Sequence, residues 1–133
     1  MEDESFDLLV SRLSLTDIPD IERTYGEFAR VLRKVGRLLI GNLSSWTTAL
    51  QNEGRGIVPN EKVMALSEYS AQAEQAAESV KNFHRPLQRY MQLALKNGFR
   101  LVDFHEPHGD PAWEKSKRYH HAPFLLRQVW EKS

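Results

Sequence analysis

Five histidines are the side chains in this sequence best suited to chemistry. His105, Glu106 and His108 form one cluster and His120-His121 another, and imidazoles with a carboxylate are ordinary zinc ligands. Proline interrupts the run His105-Glu106-Pro107-His108, so it is not the helical arrangement that sets two imidazoles on one face. It reads as solvated loop histidines, and no metal is expected. His84-Arg85 stands immediately before Pro86, at the start of a helical pattern, where both side chains suit bonds to nearby carbonyls. Trp46, Tyr69 and Trp113 either line an apolar pocket or pack as ordinary core. The absence of cysteine removes disulfides, thiolate catalysis and cysteine-ligated zinc, and suits a reducing compartment. Gly54-Arg55-Gly56 follows no strand and opens no helix, so it is not a phosphate-cradling loop.

The elements that must position these groups alternate. Phe6 to Val10 is a short apolar run opened by the turn-like Asp3-Glu4-Ser5, the pattern of a strand buried on both faces of a parallel sheet. Ile21, Tyr25, Phe28, Ala29, Val31 and Leu32 then recur at helical spacing, with Asp20 as N-cap and Gly36 just past the end. Arg37 to Asn42 is a second strand-like run, and strand, helix, strand in this length is a right-handed crossover unit. Ser44 to Asn60 is a polar loop, followed by a polar helix rich in Ala, Glu and Gln from Lys62 to Lys81; Glu74, Glu78 and Lys81 make a wetted face on it. Pro86 to Lys96 is an amphipathic helix stopped by Gly98. Phe99 to Glu106 and Pro123 to Trp130 are further strands, separated by a loop.

The bulk numbers narrow the function classes. At 133 residues the chain is one domain, 1–133, with 44–82 inserted as a cap-like loop and helix. Eighteen basic residues balance 18 acidic ones, so no net field draws it to nucleic acid or anionic lipid, and neither partner is expected. The acidic start Met1-Glu2-Asp3-Glu4 is unlike a secretory signal and no apolar run is long enough to span a bilayer, which suits the cytosol.

Two segments resemble class I S-adenosylmethionine-dependent methyltransferases of the small-molecule type. Ser5 to Leu15, with Ile18-Pro19-Asp20 and Glu27 to Arg33, is similar to that family's fourth strand, following helix and fifth strand. Phe83 to Tyr90, with Asn97 to Leu101, Glu106-Pro107 and Pro123 to Leu126, is similar to its last helix and its sixth and seventh strands. The family orders its strands three, two, one, four, five, seven, six. The resemblance therefore implies an α/β fold: a partial Rossmann-like sheet of about four strands, the last antiparallel, with flanking helices and without the amino-terminal cofactor-binding strands. The glycine-rich turn and acidic strand end that hold the cofactor in the family have no counterpart here. Val35-Gly36 stands where the family usually has paired glycines.

What the resemblance implies for function is methyl transfer from S-adenosylmethionine to a small molecule, by a truncated or amino-terminally incomplete chain or one dependent on a partner. The alternative is a non-catalytic dimerisation or interaction module. Ser11, Arg12 and Leu13 match positions bordering the cofactor, and Thr16, Trp46, His84 and Arg85 fall on the substrate side. Methyl transfer needs mainly proximity and in-line geometry, so no catalytic residue is marked. The strand Phe6 to Ser11, central in the family, lacks a neighbour on one side, and an open apolar edge invites association. It is expected to be covered by a second copy, by a complementary chain or by local refolding.

Overall fold

The computed structural model describes residues 2–45, 63–64, 82–114, 123 and 125–133. Within them, β1 (Phe6–Arg12), α1 (Ile21–Val31), β2 (Leu32–Leu43), α2 (Leu87–Lys96), β5 (Phe99–His105) and β6 (Leu125–Lys132) form the main layer pair. The short β3 (Val63–Met64) and β4 (Asn82–Phe83) pair antiparallel with each other. The four-stranded sheet runs β1-β2-β6-β5: β1 and β2 are parallel, and β6 is antiparallel to both β2 and β5. The expected order and the single reversed strand are therefore present.

Side-chain alternation decides which face of this sheet is covered. Leu38 and Ile40 of β2, Leu126 and Trp130 of β6 and Phe99 of β5 are buried. Except for Leu126, these residues join Ile21 and Tyr25 of α1 and Tyr90, Leu93 and Ala94 of α2 in one core cluster. Both helices thus lie on the same face. Trp130 is wholly buried, and its indole N–H donates to Gln128 Oε1 at 3.0 Å, which meets the polar requirement of a buried indole. Tyr25 and Phe28 of α1 meet edge to face at 5.7 Å.

Local signals account for most boundaries. Asp20 caps α1 by accepting from the Arg23 N–H at 3.0 Å, and Glu22 and Arg30 complement the helix dipole at the two ends. α1 stops at Val31 rather than close to Gly36, because Leu32 turns extended and enters the sheet opposite Phe6, where its side chain is wholly buried. β2 is consequently longer than Arg37 to Asn42, at 12 residues. Pro86 caps α2 from outside its first turn, and Gly98 stops it with φ +80°.

Two expectations are corrected. Val63 and Met64, read as part of a polar helix, are strand residues. β1 is not buried on both faces: Leu8 and Val10 are 51% and 66% exposed, because no described element packs on their side of the sheet. Residues 46–62 and 65–81 of the 44–82 insert, Trp46 and Tyr69 included, and His120-His121 lie outside the described residues. Trp113 is exposed and takes no part in the core.

Candidate functional site

The carboxyl ends of β1 and β2 open side by side at one end of the sheet, where ligands bind in open parallel α/β folds. β1 ends on Ser11, Arg12 and Leu13. Ser11 is buried and its hydroxyl shares a 2.8 Å hydrogen bond with that of Ser14, which tightens the exit from the strand. Leu13 takes φ +52°, a left-handed conformation costly for a side chain of its size, and donates its N–H to Gly41 O at 2.7 Å. The strained turn swings the chain away from the sheet and leaves the Leu13 side chain 43% exposed at its rim. Arg12 is exposed on the opposite face from the helices and has no hydrogen-bond or ion-pair partner among the described residues.

The loop that follows is fastened from the distant part of the chain. Thr16 is buried, with its hydroxyl on Asp17 Oδ1 at 3.2 Å and its carbonyl accepting from the Phe83 N–H at 2.6 Å. Arg85 is 3% exposed, and its guanidinium donates to the carbonyls of Leu15 at 3.0 Å, Ile18 at 2.7 Å and Pro19 at 3.0 Å. The same group stacks 4.9 Å from the Phe83 ring centre, a cation–π contact. The Arg85 side chain thus bonds carbonyls of the loop before α1. Ser45 closes the arrangement by donating to Arg85 O at 2.9 Å.

His84 is also buried, and burial lowers its pKa, so the imidazole is held neutral. Burial raises the phenol pKa of Tyr90, with the nearby Arg85 guanidinium and the Asn42 amide opposing the rise. Burial likewise raises that of Tyr25. The hydroxyls of Tyr25 and Tyr90 and the Oδ1 of Asn42 are buried without a hydrogen-bond partner among the described residues. A cavity of about 240 Å³ opens between Pro19–Glu22, at the head of α1, and Phe83, Arg85 and Arg89. Two of its lining residues, Arg89 and Glu22, form an ion pair at 2.8 Å.

The structure therefore gathers Ser11, Leu13, Thr16 and Arg85 around one loop at the carboxyl edge of the sheet, with His84 adjacent in sequence to Arg85, while Trp46 lies outside the described residues. Phe83, Asn42 and Tyr90 belong to the same neighbourhood and were not singled out from sequence. Asn42 carries one signal that points to it, a polar residue in the same alternating row of β2 as the apolar Leu38 and Ile40.

Comparisons agree with this geometry. The family model for a methyltransferase domain matches residues 1–40. No curated protein matches the chain at a significant level. Among solved structures, a Listeria monocytogenes protein assigned as an S-adenosylmethionine-dependent methyltransferase superposes with a TM-score of 0.77 at 18% identity, over 99% of this chain and 63% of its own. An S-adenosylmethionine-dependent methyltransferase of Mesorhizobium loti gives 0.67 at 16% identity, over 98% of this chain and 63% of its own. A Burkholderia thailandensis 1,6-didemethyltoxoflavin N1-methyltransferase, solved with bound 1,6-didemethyltoxoflavin and S-adenosylhomocysteine, gives 0.59 at 14% identity, over 98% of this chain and 45% of its own. The chain thus has the fold of the carboxy-terminal part of S-adenosylmethionine-dependent methyltransferases. It spans under two thirds of the length of the first two structures.

Proposed function

We propose that the chain supplies one wall of a methyl-transfer site, the wall formed by the carboxyl ends of β1 and β2, for transfer from S-adenosylmethionine to a small molecule in the cytosol. The observation that carries this reading is the sheet order β1-β2-β6-β5 with its one reversed strand, on which the solved methyltransferases superpose along nearly the whole chain. Ser11, Arg12 and Leu13 border the cofactor, and Thr16 and His84 the substrate, with Trp46 on the same side; Arg85 acts through the loop it holds rather than by touching a ligand.

The residues present do not fit the whole cofactor. Leu13 offers an apolar wall and Arg12 a cation suited to a carboxylate. Among the described residues no carboxylate ends β1 to take ribose hydroxyls, and the hydrogen bond between Ser11 and Ser14 leaves only one of their two hydroxyl protons for a ligand. The chain alone is accordingly not the cofactor binder, and its open β1 edge is covered by a second copy or by a complementary chain. A Haloferax volcanii neighbour, similar at a TM-score of 0.60, was solved with an activator protein, a precedent for a methyltransferase-like fold that works with a second chain.

Calorimetric titration with S-adenosylhomocysteine tests the reading. The pure chain is expected to bind more weakly than about 1 mM, equivalent to about 4 kcal/mol. Binding in the micromolar range once the covering chain is present supports a shared site. Absence of binding in both conditions favours the alternative, a non-catalytic interaction module, and micromolar binding by the pure chain overturns the assignment of the missing donors.

A further inference from the structure

Both helices start at the carboxyl end of β2. α1 leaves the carboxyl end of β1 and α2 enters the amino end of β5, and both of those strands run as β2 does. Burial alternates along β2, so Asn42 faces the helices in the row of Leu38 and Ile40, near the end of the strand. Tyr25 lies in the second turn of α1 and Tyr90 in the first turn of α2. The three are 0%, 1% and 4% exposed for Tyr25, Asn42 and Tyr90, and both tyrosine hydroxyls and the Asn42 Oδ1 make no hydrogen bond among the described residues. They are neighbours nonetheless. Tyr90 influences the ionisation of Tyr25, and the Asn42 amide and the Arg85 guanidinium influence that of Tyr90, without any of them reaching hydrogen-bonding geometry at the Tyr90 hydroxyl.

A hydroxyl or amide oxygen taken out of water without a partner is costly, and buried tyrosines ordinarily bond their hydroxyls. Three such groups in one place are a heavy load for a domain of marginal stability. Other buried polar side chains are engaged elsewhere: Gln128 accepts from the Trp130 indole and donates to Met91 Sδ, and Arg85 serves the carbonyls of Leu15, Ile18 and Pro19. Polar groups that lie close without touching are bridged by water where the site offers enough partners. One water accepts from both phenol O–H groups and donates to Asn42 Oδ1, three bonds in all, the usual number for a buried water. Because water both donates and accepts, the site serves either orientation of the Asn42 amide.

We infer that Tyr25 Oη, Tyr90 Oη and Asn42 Oδ1 together bind one internal water, which ties the heads of α1 and α2 to the end of β2 beside the guanidinium that holds the β1–α1 loop. The water is a fixed part of the floor beneath that loop, not a reactant, and the inference stands independently of methyl transfer.

Crystallography of the full chain, at a resolution that shows ordered water, tests it directly. The expected result is a density peak within hydrogen-bonding reach, about 2.6–3.2 Å, of all three atoms. In solution, oxygen-17 magnetic relaxation dispersion counts long-lived internal waters, and the count is expected to fall in an Asn42→Leu, Tyr90→Phe double variant, which leaves the site a single polar partner. Tyr25→Phe and Tyr90→Phe are each expected to lower the thermal midpoint by roughly 3–5 °C, and the pair by less than the sum, since losing either donor already weakens the shared water. Direct hydrogen bonds among the three side chains, a bond to any of them from residues 46–62 or 65–81, or the lack of a density peak between them overturns the inference. So does an unchanged water count in the double variant, or additive losses in the tyrosine pair.

Discussion

Val35 holds a β-branched side chain at φ +58°, in the left-handed region where such residues are strained, and it is 73% exposed, so no packing repays the strain. Its neighbour Gly36 has the opposite problem, since an added Cβ would lie 2.8 Å from Arg33 O and 3.0 Å from Leu32 Cδ2. The pair is thus a tight link between α1 and the body of β2 in which only one position carries the residue its backbone favours. Val35→Gly is expected to stabilise the chain by about 1 kcal/mol, the lower end of the cost of such a conformation, and to raise the thermal midpoint by roughly 3 °C. Gly36→Ala is expected to destabilise it, because main-chain and core atoms would have to move. Thermal unfolding followed by circular dichroism checks both, and a Val35→Gly protein less stable than the parent contradicts the strain. His84 gives a second residue-scale test. In the unfolded chain it takes a proton near its ordinary pKa of about 6.5, whereas the buried folded imidazole does so only at lower pH. Between those values the unfolded state binds more protons, so His84 leaves stability flat above neutrality and erodes it on acidification, by at most about 1.4 kcal/mol per pH unit. Denaturant titrations from pH 7.5 down to pH 5 are expected to show this loss, and His84→Gln to flatten it. An unchanged pH dependence in the variant would place the titration elsewhere.

Among the elements, the β1–α1 loop depends most on a part of the chain remote in sequence. Arg85, just before α2, holds that loop by three carbonyls, those of Leu15, Ile18 and Pro19, and Lys cannot reproduce a planar fork serving several acceptors. Arg85→Met removes the donors and leaves buried carbonyls unsatisfied, a loss expected to be about 2–4 kcal/mol. Arg85→Lys is expected to recover only part of it. Hydrogen exchange distinguishes a local clamp from a general packing role: amides of residues 15–20 should lose protection well before those of β2 and β6. Uniform loss across the sheet would show that Arg85 supports the core as a whole. The two helices and four main strands were legible in the sequence because each buries one periodic apolar face and ends on a recognisable residue, Asp20 at one start and Gly98 at one stop. The early end of α1 was not, since Leu32 and Val31 continue the helical spacing and only pairing with Phe6 draws Leu32 into the sheet. At the candidate site, Ser11 to Thr16 could be located through the resemblance. The direction of Arg85 could not, because a basic residue before a helix has the same local pattern whether it points to a ligand or back to carbonyls. The approach of Asn42 to Tyr90 is not legible for a related reason: it depends on how α2 lies over β2, which no local pattern records.

On the scale of the molecule, the two faces of the sheet have very different surroundings. β2 shows the contrast within one strand, with Leu38 wholly buried beneath the helices and its neighbour Leu39 only partly covered on the other side. β1 shows it more sharply, because Leu9 packs against the core while Val10, next in the chain, is 66% exposed. A folded domain in water seldom leaves a row of aliphatic side chains beside an unpaired strand edge, since such a row templates association. If the helices alone hold the isolated chain together, its stability should be insensitive to the chemistry of the bare face. Val10→Lys is then expected to change the unfolding free energy by less than about 0.5 kcal/mol, as at ordinary surface positions, whereas Leu38→Ala is expected to cost about 2–5 kcal/mol through the cavity it leaves. Val10→Lys is also expected to raise the concentration at which the purified chain aggregates, since an edge lysine opposes strand-to-strand addition. Denaturant unfolding and light scattering on the same two variants measure these effects together. A Val10→Lys protein destabilised as strongly as Leu38→Ala would mean that Val10 is packed within the isolated chain, and the covering partner would then have no surface left to occupy.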